Sequence, residues 1–277
     1  MATSIYDQQK LKELRKQIFL TGYKGGMAHL APCYSSLEIL YALYLKGVLR
    51  YDPLNLDWAD RDRLILSKGH AGLALYSVMV EADLMSKEDF DSYLQPGSNI
   101  GGEPCMRDLK GIEASTGSLG HGLSVGVGMA IALKTDRRSA RTYVILGDGE
   151  CEEGTVWEAA MSASAFQLDH LTVILDCNEL QKMDTVTKTI GSNNWSEKWS
   201  AFGFHIEEVD GHDVDALTEI LGRPNPPHKP RLIIAHTVKG KGVSIMENNP
   251  NWHFKLPGRK ELKIFKEELA LSDSELE

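Results

Sequence analysis

Apolar runs of strand length alternate along this chain with segments of helical period, and that alternation restricts its fold more than any other feature. The runs are "DRLILS", residues 143–146, residues 171–176, "FHIEEV" and "RLIIAHTV". Around them lie "SSLEILYALYLKGVL", read as a buried helix opened by a serine cap, and "GHAGLALYSVMVEADL". Further helical stretches are "GHGLSVGVGMAIALK", with small residues along one side, residues 152–166, and "DVDALTEILG". The N-terminal "MATSIYDQQKLKELRKQIF" puts Leu11, Leu14 and Ile18 on one face of an amphipathic helix. The tail "GRKELKIFKEELALSDSELE" predicts a terminal helix with an acidic end. Strands separated by helices form βαβ units, so the expected fold class is α/β: a parallel β-sheet flanked by helices on both faces. Residues 97–117 are rich in Gly and Pro without a period and read as a functional loop. With 277 residues, 42% of them apolar, one large core is within reach, and residues 1–277 are expected to form a single domain.

Charge and composition remove several classes of function. The balance of 39 acids against 30 bases, net −9, repels nucleic-acid phosphates. No run approaches the length of a membrane span, and the N-terminus lacks the apolar core of a signal peptide. Cys33, Cys105, Cys151 and Cys177 show no metal-ligand spacing. They read as reduced thiols, and a cytoplasmic location is expected.

In a parallel sheet, ligands lie beyond the carboxyl ends of the strands. Asp148 follows one apolar run, held between Gly147 and Gly149, and thirty positions later "LTVILDCN" ends in Asn178. That interval fits a loop, a helix, a turn and a strand, so a right-handed βαβ unit can bring both tips to one edge. An acid and an amide offer hard oxygens to Mg²⁺, which completes its octahedron with water and phosphate oxygens. Flanking glycines admit a phosphate without a Cβ in the way. A helix starting just beyond would aim its positive end at the same edge. "GDG" alone is a common turn; the pairing of the two tips is what points to a site.

These residues resemble the motif of the thiamine diphosphate-dependent enzymes, and specifically its transketolase version, in "GDGECEEG" followed by "DCNELQKMD". "GGMAHLAPCYSSLEILYALY" and "DRLILSKGHAGLALY" are similar to the two early histidine segments of that family. "GIEASTGSLGHGLSVGVGMAIA" resembles its glycine-rich cofactor segment and "HTVKGKGVSIMENNPNWH" its late histidine segment. The resemblance implies the thiamine diphosphate-binding fold. It implies Asp148, the Asn178 side chain and the Leu180 carbonyl as ligands of Mg²⁺, or of another divalent cation such as Ca²⁺ or Mn²⁺. It implies cofactor contacts from His70, Gly117, Ser118, Leu119, Gly147, Gly149, Glu150, Asn178 and His253. It implies catalytic roles for His29, His70 and His253, with His29 facing the substrate. Glu153 matches an acid that communicates across the subunit interface, and His121 stands where the family often has glutamine. His170, His205, His212 and His228 read as surface or satisfied polar residues.

A complete transketolase carries pyrimidine-binding and C-terminal domains beyond the one read here, and no later α/β pattern follows in this chain. The resemblance therefore implies the diphosphate-binding half of a split transketolase. It would be active only with a partner subunit that carries the pyrimidine-binding domain, with two copies of each chain expected. The reaction implied is transfer of a two-carbon ketol unit from a ketose donor to an aldehyde acceptor. Two departures bear on substrate. Ala31 and Pro32 replace paired glycines, and Glu103 in "GEP" replaces a histidine. A carboxylate there repels an anionic donor and accepts hydrogen bonds rather than donating them, which points to a less charged or unusual ketose. The bland alternative is a Glu103 that touches nothing in a loose loop. Two other readings compete: the α-type subunit of a 2-oxo acid decarboxylating complex, and a non-catalytic cofactor-binding or assembly module. "SKGHAGLALY" and "STGSLGHGLSVGVGMA" favour transketolase over the first. Intact Asp148, Asn178 and His70 count against the second.

Overall fold

The computed structural model describes residues 3–191 and 194–276; Met1, Ala2 and Glu277, which the expected terminal helices include, lie outside it. The helices are α1 (Ile5–Lys24), α2 (Leu30–Leu45), α3 (Gly72–Glu81), α4 (Lys87–Asp91), α5 (His121–Thr135), α6 (Gly154–Ala165), α7 (Val186–Ile190), α8 (Trp195–Ala201), α9 (Val214–Gly222) and α10 (Leu262–Glu268). The strands are β1 (Arg63–Leu66), β2 (Thr142–Gly147), β3 (Leu171–Cys177), β4 (His205–Asp210) and β5 (Arg231–His236). All pair in parallel, in the order β1-β2-β3-β5-β4.

Both faces of the sheet are covered, as a parallel sheet requires. Tyr143, Ile145, Ile174 and Ile233 point into one core with α1, α2, α3 and α9. Val144, Leu146, Val173, Leu175, Leu232 and Ile234 point into the other with α5, α6 and α8. Burial on both sides is why β2 and β3 read as unbroken apolar runs. Among the described residues β4 pairs only with β5 and is half exposed, as an edge strand is. The small residues of α5 permit close docking: a Cβ on Gly126 would come 2.5 Å from Val144 Cγ2, and one on Gly122 would come 2.8 Å from Ser67 Cα.

Three expected boundaries move. α2 begins at Leu30, not at the serines, with His29 as its N-cap. Pro32 is tolerated because first-turn N–H groups have no helical partner to lose. Ser35 and Ser36 are inside the helix, and their hydroxyls donate to Asp176 Oδ2 at 2.7 Å each. α6 starts one 3₁₀ turn after the Asp148 loop, at Gly154, so its N-terminus is not immediately behind Asp148. The tail forms the seven-residue α10, which stops where Ala270 turns left-handed (φ 54°), and then a 3₁₀ turn at Asp273–Glu275.

Candidate active site

The carboxyl ends of β1, β2, β3 and β5 converge on a cavity of about 220 Å³. The loop after β1 contributes Lys68 and His70, the tip of β2 Asp148, the tip of β3 Asn178 and Leu180, and the loop after β5 Lys239. Of the residues expected at the site, His70, Leu119, Gly147, Asp148, Gly149, Glu150, Asn178, Leu180 and His253 line it. Gly117, Ser118 and His29 do not.

Asp148 is buried at its strand tip. Its Oδ1 accepts the Gly149 N–H at 2.8 Å and its Oδ2 accepts the Glu179 N–H. Burial, and then the neighbouring Asp176 carboxylate, push its carboxyl up to about 6. Asn178 donates its Nδ2 to Asp176 Oδ1 at 3.3 Å. That bond fixes the amide so that Oδ1 faces the Leu180 N–H, 3.2 Å away. The Leu180 carbonyl accepts the Lys239 ammonium at 2.8 Å. Burial, and then Lys68, push Lys239 down to about 8.

Behind the cavity wall Asp176 gathers the Lys68 ammonium at 2.5 Å, both serine hydroxyls of α2, the Thr237 hydroxyl and the Asn178 amide. Burial would raise its pKa, but Lys68 and these hydrogen bonds hold the carboxyl well below the usual carboxylate range. Glu150 is a strut. Its Oε1 accepts the Gly120 N–H at 2.9 Å and the Ser67 hydroxyl, and its Oε2 accepts the Gly147 N–H at 3.1 Å. One carboxylate thus ties the β1 loop, the β2 tip and the start of α5 together.

His29, His70 and His253 form a triangle, with ring centroids 5.4, 5.4 and 5.2 Å apart. His29 packs on both other rings from outside the cavity wall, with Phe254 against it at 4.5 Å. Burial, then nearby lysines, push His29 down to about 4. Burial, then Lys239, push His253 down to about 3, and burial, then Lys68, hold His70 well below the usual imidazole range. All three are neutral at pH 7, each with one N–H donor and one acceptor nitrogen. His253 Nδ1 is buried with no hydrogen-bond partner among the described residues, so it is free to engage a ligand.

Glu103 is exposed but does not dangle. A Cβ on Gly117, whose φ is 129°, would overlap Glu103 Oε2, so the carboxylate fills the space a side chain would occupy. His121 is exposed, its Nδ1 3.2 Å from the Leu119 carbonyl. Glu153 is exposed at the N-cap position of α6, with no side-chain capping bond. His212, expected as a surface or satisfied polar residue, is largely buried beside Glu38, and its Nε2 accepts the Val238 N–H. Sequence reasoning keyed on histidines and missed Lys68, Lys182, Lys239 and Asp176. The signal was present, since Lys68 and Lys239 follow strand ends in "SKG" and "VKG".

The arrangement fits a divalent cation joined to an anion. Asp148, Asn178 and Leu180 bring hard oxygens to the cavity lining, and burial together with the Asp176 carboxylate makes the Asp148 charge unfavourable without a cation. Among the described residues no group of three or more His, Cys, Asp or Glu side chains forms a self-sufficient metal cage. A cation held here must complete its shell with water and ligand oxygens, as Mg²⁺ does with phosphates. Lys68, Lys182 and Lys239 on the same cavity, in a chain of net charge −9, supply the complementary charge for such an anion.

Residues 23–276 match the family model described as "Transketolase, thiamine diphosphate binding domain". One of the subunits of an apulose-4-phosphate transketolase from Actinobacillus succinogenes is 37% identical over 267 residues, covering 95% of this chain and 96% of that protein. A 6-deoxy-6-sulfo-D-fructose transketolase subunit from Clostridium sp. is 39% identical over 242 residues, covering 87% of each. A crystal structure of a Pichia stipitis transketolase variant superposes with a TM-score of 0.86 at 27% identity over 99% of this chain. The match spans only 43% of that longer polypeptide.

Proposed function

The chain belongs to the transketolase thiamine diphosphate-binding family, and on that premise we propose that it is the diphosphate-binding subunit of a two-chain transketolase. Two relatives that are themselves named as subunits support the division, because this chain matches 96% and 87% of their lengths. The observation that carries the reading is the single cavity that joins three hard oxygens, three lysines and two of the three packed histidines.

Asp148, Asn178 Oδ1 and the Leu180 carbonyl would hold Mg²⁺, or Mn²⁺ or Ca²⁺ in its place. Lys182, Lys239 and the Gly149 backbone would receive the diphosphate. The Lys239 ammonium already rests on the Leu180 carbonyl, where a metal would compete with it; loading would move it to the phosphate oxygens. When bound, thiamine diphosphate supplies a carbon nucleophile able to carry the two-carbon unit. His70, His253 and His29, uncharged at neutral pH, can both give and take hydrogen bonds. They would orient the sugar hydroxyls and move protons at the carbonyl oxygen. Residues 1–277 would act as one cofactor domain. A partner subunit with the pyrimidine-binding domain would close the site, two copies of each chain making the assembly. The four cysteines are free thiols, which accords with a cytoplasmic enzyme.

The test is to purify this chain alone and with its partner subunit, and to follow two-carbon transfer from ketoses to an aldehyde, with pyruvate as a control. Transfer that needs both chains, Mg²⁺ and thiamine diphosphate is expected. Turnover by this chain alone, or turnover of pyruvate only, would overturn the reading.

A further inference from the structure

Lys239 reaches the cavity from a loop, and a long side chain placed on a loose backbone would spend much of its binding contribution on ordering itself. The loop is not loose. Val238 N–H donates to His212 Nε2 at 2.8 Å, Gly240 N–H to the Ala31 carbonyl at 3.1 Å, and Asn248 N–H to the Lys239 carbonyl at 3.0 Å. Arg15 Nε donates to the Lys241 carbonyl at 2.8 Å. A Cβ on Gly242 would come 2.9 Å from Arg15 Cδ, so the loop lies hard against that side chain.

The side chains that make two of these grips lie against one carboxylate. Arg15 Nη2 bonds Glu38 Oε1, and His212 Nδ1 lies 3.2 Å from Glu38 Oε2, close enough for attraction but not aligned as a hydrogen bond. Because His212 Nε2 accepts a backbone N–H, its proton resides on Nδ1, beside the carboxylate. Glu38 sits inside α2 at 3% exposure. Burying such a set is costly, and apolar residues of similar size often give equal or greater stability. Apolar residues cannot accept the Val238 N–H or donate to the Lys241 carbonyl.

We propose that Glu38, Arg15 and His212 are positioning residues that aim Lys239 at the cofactor diphosphate from outside the cavity. This rests on the reading of the site given above. It makes the triad a determinant of cofactor affinity and leaves the chemical step to the cavity residues.

His212→Leu removes the acceptor for Val238, and His212→Gln restores one at nearly the same reach. The readouts are titration calorimetry of Mg²⁺ and thiamine diphosphate on the assembled two-chain enzyme, kcat at saturating cofactor, apo melting temperature, and hydrogen exchange of the 237–242 amides. His212→Leu should weaken cofactor binding about tenfold and speed exchange in 237–242, with kcat at saturation kept within about twofold. His212→Gln should recover most of the affinity. Arg15→Lys, which keeps the charge but loses the Nε bond, should act in the same direction and serves if His212→Leu does not fold. A lowered melting temperature with unchanged cofactor affinity would show a purely structural network and overturn the proposal. A wild-type complex that binds no thiamine diphosphate would sink the functional reading as well; equal binding by wild type and both variants would sink only this one.

Discussion

Asp176 never reaches the cavity wall, yet Lys68 and Asn178 both take their orientation from its carboxylate. Asp176→Asn would leave the Lys68 ammonium buried at 2% exposure without its counter-charge, a change that typically costs about 3–5 kcal/mol. Denaturant unfolding of the purified chain measures it; a loss below about 1 kcal/mol would contradict the pairing described. Asp148 behaves in the opposite way. Its folded pKa, about 6, is above the usual value of 3.8, so the folded state takes up the proton more readily than the unfolded one. Its carboxylate therefore opposes folding at pH 7, and this opposition fades as pH falls through 6 toward 3.8. Asp148→Asn should raise the apo melting temperature at pH 7, lose that gain near pH 4, and abolish stabilisation by Mg²⁺ with thiamine diphosphate. The histidines shift the other way: His29 and His253 support the fold fully above about 6.5, and that support is lost as pH falls toward about 4 for His29 and about 3 for His253. Glu103→His in the assembled enzyme should move donor preference toward anionic ketoses, read as a change in relative kcat/KM; an unchanged preference would leave Glu103 with no role in selection. At this scale the sequence disclosed Asp148 and Asn178 because each ends a buried run. It hid Asp176, whose partners Ser35 and Ser36 lie some 140 positions away.

The elements were the most readable layer. All five strands fall within two residues of the expected runs, because a sheet buried on both faces writes itself as continuous apolar sequence. α4, α7 and α8 escaped notice, since five to seven residues are too few to display a helical period. The start of α2 was misplaced because serines are strong caps in general, whereas here they serve a buried carboxylate from inside the helix. The pairing of β5 between β3 and β4 was not legible at all, since strand order is a property of packing. α5 carries a prediction at this level. Gly126→Val must push the helix off Val144 and with it the Gly120 amide that Glu150 holds. A loss of about 1–3 kcal/mol in stability, with weakened cofactor binding, is expected from overpacking; thermal melts and cofactor titration check it.

Across the whole molecule the distribution of charge matters more than its sum. A chain of net −9 gathers three lysines on one cavity beside a carboxylate whose charge burial and Asp176 disfavour, a pattern that suits a metal-bridged anion better than a free one. Composition showed the acidic total but not this concentration, which arises only when four strand tips meet. The most direct measurement is anomalous diffraction from crystals of the two-chain enzyme grown with Mn²⁺ and thiamine diphosphate. The account predicts one Mn²⁺ peak about 2.0–2.2 Å from Asp148, Asn178 Oδ1 and the Leu180 carbonyl, with Lys239 moved from Leu180 to the diphosphate. A cofactor bound with no metal on those oxygens, or with Lys239 still on the Leu180 carbonyl, would contradict it.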